Sequence, residues 1–197
     1  RRPHPRDMAS TRVMEQKGTR AGGSGVEHDA EDQGGVPDLG IRKFGPADRA
    51  WADALLAKHQ ASSRTVRLGE LFNPLEEAGL VAERNGNPLG LLTYRLRGDE
   101  LEILSLHSAE PGQGAGTALL RAAEDAARGL KCRRMVVFTT NDNMGALTLY
   151  QRWGLRLRAL HVGAVDSDRL LKPEIPTVNA ATGLPIRDLL ELSKPLA

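Results

Sequence analysis

The stretch Pro111-Gly112-Gln113-Gly114-Ala115-Gly116-Thr117 sets three glycines at alternate positions. An apolar run precedes it, Leu101-Glu102-Ile103-Leu104-Ser105-Leu106-His107, and an amphipathic run over 117–130 follows. That order reads as strand, tight turn, helix. A helix N-terminus exposes unpaired backbone N–H groups and a partial positive charge. Glycine lets the backbone of the turn approach a ligand closely. The chemistry such a turn supports is phosphate or pyrophosphate binding. Two other groups carry protons. Tyr150 lies in a second amphipathic run that opens at Asn143; a phenol with an ordinary pKa of about 10 stays protonated at neutral pH and can donate to a leaving group. Glu100 and Glu102 stand two apart on the strand before the glycines, and so on one face. They are either a proton-accepting pair or a solvated strand face. His107 falls on the opposite face from both if the strand alternates regularly; a bulge would change that.

The glycine spacing narrows the ligand. A Walker loop needs Lys-Ser/Thr after its last glycine, and no Lys follows Gly116. A dinucleotide fingerprint needs G-x-G-x-x-G and an acid about 20 residues on. Here the pattern is G-x-G-x-G, and Asp142 lies too far along. Composition sets further bounds. The chain has 197 residues, 40% hydrophobic and 26% charged, with a net charge of +2, too small to argue for nucleic acid. Its single cysteine, Cys132, forms no intrachain disulfide and reads as packing; no Cys/His cluster has metal spacing. No apolar run approaches the ~20 residues of a membrane span, and no apolar signal core opens the chain. A cytoplasmic protein without metal, membrane or nucleic-acid partner is the expectation; oligomeric state is not readable.

The elements that must position these groups follow in order. Residues 1–39 hold few large apolar side chains and are expected to be a disordered tail, with Met8 or Met14 as possible true starts. A single folded domain is expected over 40–197. It opens with a short strand at 39–44, then a helix over about 48–60 with Trp51, Leu55 and Leu56 inward. Val66, Leu68, Leu71 and Phe72 form a second apolar cluster. Residues 79–96 read as a hairpin turning at Asn85-Gly86-Asn87. A turn at Arg97-Gly98-Asp99 leads into the strand at 100–107, so three antiparallel strands meander into the glycine turn. A buried strand at 135–140 after the helix implies a parallel neighbour. A helix over about 144–153 ends at Gly154. A strand at 155–162, a charged Pro-bearing segment at 166–176 and a last strand within 184–192 complete the chain.

Two motifs in this order carry a resemblance. Residues Leu104 to Gly116, followed by Leu119-Leu120, resemble the strand-and-turn signature Q/R-x-x-G-x-G/A of the GNAT acetyltransferase family. Asn143-Met144-Gly145-Ala146-Leu147-Thr148-Leu149-Tyr150-Gln151-Arg152-Trp153-Gly154-Leu155 resembles the family's N-x-x-A-x-x-x-Y-x-x-x-G-F segment. Residues 161–188 are similar to a bacterial subgroup of unassigned substrate. The resemblance implies an α/β (α+β) fold with a mixed, mostly antiparallel central sheet flanked by helices, and a parallel strand pair splayed around the coenzyme site. It implies direct acetyl transfer from acetyl-CoA to an amine. Gly112, Gln113, Gly114, Ala115, Gly116 and Thr117 would bind the pyrophosphate. The backbone around Leu106, His107 and Ser108 would pair with pantetheine. Asn143 would touch the CoA arm, or cap its helix. Tyr150 would also line the cofactor site and protonate the thiolate, and Glu100 or Glu102 would take the amine's proton. Asp142 and His161 are lesser candidates. Pro111 stands where the family has Gln or Arg. That departure keeps open an alternative, a CoA-binding regulatory module with weak or no catalysis.

Overall fold

The computed structural model describes residues 39–60 and 62–196. The tail expected over 1–39 lies outside them apart from Leu39. Among the described residues nine strands and four α-helices follow one another: β1 (Gly40–Lys43), α1 (Arg49–Gln60), β2 (Thr65–Arg67), β3 (Glu70–Phe72), β4 (Ala78–Arg84), β5 (Asn87–Arg97), β6 (Glu100–Ser108), α2 (Ala115–Gly129), β7 (Arg134–Thr140), α3 (Met144–Arg152), β8 (Arg156–His161), α4 (Ala164–Asp168) and β9 (Leu189–Pro195). Seven strands form one sheet in the order β1-β4-β5-β6-β7-β9-β8. All neighbours are antiparallel except β6 and β7. The mixed sheet expected from the motifs is therefore present. The turn at Asn85-Gly86 has positive φ at both residues (52° and 77°), as a tight hairpin requires.

Helices cover both faces. On the back, Leu119, Leu120, Ala123 and Ala127 of α2 pack with Leu92, Leu101, Ile103 and Met135 of the sheet; Leu147 and Tyr150 of α3 join the same core. Burying each leucine there contributes roughly 1.5–3 kcal/mol. Gly90 sets how close α2 comes: a Cβ there would stand 3.0 Å from Leu119 Cδ1 and 3.2 Å from Ala115 Cβ. On the front, Leu55 and Leu56 of α1 pack on Val81, Leu91 and Leu75.

Three expectations need correction. The cluster at 66–72 is a small hairpin, β2–β3, with Leu68 half exposed at its tip. The segment 166–176 follows a short helix, α4, that also takes in its first residues. The last strand starts at Leu189, not near Leu184. The Asn141 side chain binds Pro185 O and the Arg187 and Asp188 N–H groups, and this ties 185–188 to the end of β7 before pairing begins.

Candidate active site

β6 and β7 run side by side for only four pairs, Glu100↔Arg134 to Ile103↔Val137. Beyond them β6 stays with β5 as far as Ser108, and β7 stays with β9 as far as Thr140. The two therefore part at Leu104 and Phe138. One wall of the wedge is the backbone of residues 104–108, unpaired on its β7 side. Backbone polar groups need partners, and an extended ligand can supply them as an added strand would.

A bulge sits at the start of this wall. Thr93 pairs with Ser105 while Tyr94 pairs with Ile103, so Leu104 is the extra residue. The pleat changes phase there. Glu100, Glu102, Ser105 and His107 all lie on the front face. The regular alternation that put His107 opposite the glutamates does not hold. His107 stacks on His59 at the end of α1, with ring centroids 5.0 Å apart. Burial, and to a lesser degree the nearby His59, lowers the His107 pKa to about 4.

Beyond the wall lies the glycine turn. Gly112 and Gly114 take positive φ (85° and 80°), a conformation that any side chain would strain. Gly114 is the N-cap of α2 and supplies no side-chain cap, so the first N–H groups of a 15-residue helix keep their donors free. Ala115 is buried under the turn, and Gly116 packs 3.5 Å from Leu149 if given a Cβ. The Gln113 side chain points to Arg84, whose Nη1 donates to its Oε1 at 3.0 Å. Ser108 Oγ donates to Glu110 O at 2.8 Å, and the Leu106 side chain packs on the back core. Thr117 borders a cavity of about 390 Å³ between α2 and α3, with Thr148, Arg152 and Trp153 across from it.

Asn143 caps α3, accepting from Ala146 N at 3.1 Å through Oδ1. Tyr150, two turns on, is 5% exposed, and burial pushes its pKa up. Its hydroxyl has no hydrogen-bond partner among the described residues and is not sealed from the surface. A phenol that stays protonated and has an open hydroxyl can donate a proton.

On the front face, under the β2–β3 hairpin, a pocket of about 200 Å³ opens against the parallel strand pair. Glu102 lies at its base, 4% exposed and ion-paired to Arg67, Arg95 (2.9 Å) and Arg97 (2.8 Å). Both its oxygens are engaged. Glu100 lines the same pocket; its Oε1 meets Arg134 at 3.0 Å and Arg158 at 3.4 Å, while Oε2 has no partner among the described residues. The hairpin is pinned from α4, because buried Asp168 accepts from Leu68 N (3.1 Å) and Gly69 N (2.7 Å). Asp142 lies apart from this pocket: Oδ2 holds Asn179 at 2.7 Å and Oδ1 is buried without a hydrogen-bond partner among the described residues. His161 faces Glu191 at 3.3 Å. Sequence reading passed over Arg67, Arg95, Arg97 and Asp168. Arg95 and Arg97 had a signal: they alternate on one strand face directly opposite Glu102 and Glu100.

A family model described as "Acetyltransferase (GNAT) family" matches residues 48–155, which span α1, the wedge, the glycine turn and α3. The chain belongs to the GNAT acetyltransferase family. Membership makes it an acyl-CoA-dependent N-acetyltransferase by class. It is 41% identical to YxbD of Bacillus subtilis over 145 residues, 73% of this chain and 90% of that protein. YdhI of the same organism is 39% identical over 139 residues, 70% and 86% of the two chains. Among solved structures, an IAA acetyltransferase from Bacillus cereus superposes with a TM-score of 0.63 at 23% identity, covering 81% of this chain and all of that one. A Bacillus subtilis acetyltransferase in complex with CoA gives 0.61 at 19%, with the same coverage. At such identities these structures speak for the GNAT fold. Among the described residues no group of three or more His, Cys, Asp or Glu is arranged to hold a metal, and no helix is long and apolar enough to cross a membrane.

Proposed function

We propose that this GNAT protein moves an acetyl group from acetyl-CoA directly to a primary amine. The observation that carries the reading is the wedge at Leu104 and Phe138, which leads from an unpaired strand edge to an uncapped helix N-terminus. A pantetheine arm laid along residues 106–108 would place its pyrophosphate on the N–H groups of 112–117. The thioester then lies where the strands part. Tyr150 Oη is the proton donor to the departing thiolate. Asn143 holds the start of α3, and so the position of Tyr150.

The amine must lose a proton before it attacks. Glu102 has both oxygens tied to guanidiniums, and its role in this proposal is to hold the three arginines in place. Glu100 keeps one oxygen open on the pocket and takes the proton along it. A protein that only bound CoA, the reading raised by Pro111, would need none of these groups.

The test is a thiol-release assay over a panel of amines, run beside acetyl-CoA binding by thermal shift. The expected result is a stabilising shift with acetyl-CoA and acetyl-CoA-dependent turnover with at least one amine. No shift at millimolar acetyl-CoA would remove the reading, and a shift without turnover would favour the binding module. Glu100→Gln is expected to lower kcat/KM by ~10-fold or more at neutral pH. The deficit should shrink as rising pH deprotonates the free amine; a deficit unchanged across pH would deny Glu100 the proton.

A further inference from the structure

The front pocket holds an imbalance of charge. Its lining carries Arg67 and Arg97 beside Glu70, Glu100, Glu102 and Glu191, and Arg95, Arg134 and Arg158 pair with those carboxylates from outside the lining, so over the whole ion-pair network the cations are one in excess. His161, beside Glu191, adds charge only when protonated. The excess can be located. Arg95 and Arg97 are shared between Glu70 and Glu102 in a closed set of ion pairs. Arg134 pairs with Glu100, and Arg158 bridges Glu100 and Glu191. Arg67 is the fifth. It is 7% exposed and lies between the rings of Phe72 (5.1 Å) and Phe138 (4.5 Å). Its buried Nη2 is the atom that meets Glu102 Oε1, as an ion pair outside hydrogen-bond geometry, while Nε and Nη1 have no acceptor among the described residues. A guanidinium carries five donors, and those on Nε and Nη1 are left for an acceptor that enters the pocket. Burial together with Arg95 and Arg97 outweighs Glu102 and lowers its pKa to about 10. Arg97 beside it also has a free edge, since only its Nε and Nη2 are engaged.

We propose that this pocket binds an amine acceptor that carries a carboxylate, with Arg67 as the anchor of that carboxylate and Arg97 as a second donor. The proposal rests on the acetyl-transfer reading and names the acceptor class for it. A carboxylate brings one negative charge, matching the one in excess, and its two oxygens suit the guanidinium fork. A phosphate dianion would overshoot. The volume of about 200 Å³ is that of a small molecule. Position agrees as well. The ring of Phe138, against which Arg67 lies, is the first residue of β7 beyond the last pair with β6. A carboxylate held on Arg67 would therefore lie on the same side of the sheet as the residue at which the strands part, where the thioester is expected.

The experiment measures binding separately from transfer. Calorimetric titrations onto the full chain saturated with CoA use L-amino acids, β-alanine and 4-aminobutyrate, each against its carboxamide, with wild type, Arg67→Gln and Arg67→Lys. The expected result is that at least one acid binds wild type ~10-fold or more tightly than its carboxamide, the range of a charge-assisted pair. The preference should vanish in Arg67→Gln and survive in part in Arg67→Lys, while CoA affinity stays within twofold in both as the control for folding. Equal binding of acid and amide, a preference that persists in Arg67→Gln, or no binding by any acid overturns the proposal. If Arg67→Gln fails to fold, the wild-type comparison and Arg67→Lys decide it. Thiol release with the same panel is read independently. A carboxylate preference in binding without turnover would keep this site and count against acetyl transfer.

Discussion

Tyr150 and His107 show how the same burial that shapes the site sets its protons. Tyr150 is pushed upward by burial alone and so remains a donor throughout the working range. Tyr150→Phe is expected to keep acetyl-CoA affinity and to lower kcat by ~10²-fold or more, as loss of a general acid does; stopped-flow turnover beside equilibrium binding checks it. His107 is pushed the other way, to about 4 from its ordinary 6.5, so the folded protein disfavours its charged form. The sign follows from proton binding. Below about pH 6.5 the unfolded chain takes up this proton and the folded chain does not, so stability falls with pH. The contribution is whole above pH 6.5 and is lost as the pH falls toward 4. Its upper size is about 3 kcal/mol, reduced by the partial solvation of the ring. Denaturant titrations from pH 7 to 4 should show a flatter profile for His107→Asn than for wild type.

At the scale of elements, the distance between α2 and the sheet governs the cofactor site. Gly90 on β5 faces Leu119 and Ala115 at the first turns of that helix. Gly90→Ala adds one methyl where the neighbours leave 3.0–3.2 Å. It is expected to cost about 1–3 kcal/mol through overpacking and to raise the acetyl-CoA Kd by tilting the free N–H groups off the pyrophosphate; urea unfolding and thermal shift measure the two. The turns and helices that frame this region were legible in the sequence because their signals are local. Asn85-Gly86, Gly114 and Asn143 act within four residues of themselves. The bulge at Leu104 was not legible, since no residue there demands it; it exists only in the pairing of two strands. The charged pocket was hidden for the same reason. Arg67, Arg95 and Glu102 come from three strands, and their ion pairs form only when the hairpin lies on the sheet.

Across the whole molecule, contacts between distant parts of the chain hold the face proposed for the acceptor. Asp168 fixes the tip of the β2–β3 hairpin a hundred residues upstream, and Lys172 Nζ donates to Gln60 O at 3.0 Å and Arg64 O, fastening the same hairpin's approach from α1. The connection between β8 and β9 thereby serves as a clamp on the roof of the pocket. Asp168→Ala leaves two backbone N–H groups without acceptors and is expected to cost about 1–3 kcal/mol. Its functional signature should be one-sided: a raised KM for the amine and an unchanged KM for acetyl-CoA, measured in initial-rate kinetics. A rise in both would mean that the clamp also supports the cofactor wedge.

The extra residue at Leu104 makes β6 two half-strands of opposite hydropathy phase, spliced at one position. Upstream, even-numbered residues look forward; downstream, odd-numbered ones do. Deleting that one residue would change no other side chain, yet it would rotate the downstream half by half a turn. Leu106 would come to the front face, and Ser105 and His107 would be driven into the packing beneath α2. On this strand, length is a stricter constraint than composition. A one-codon deletion should be harder to tolerate than any single substitution, and insertions should survive only in compensating pairs.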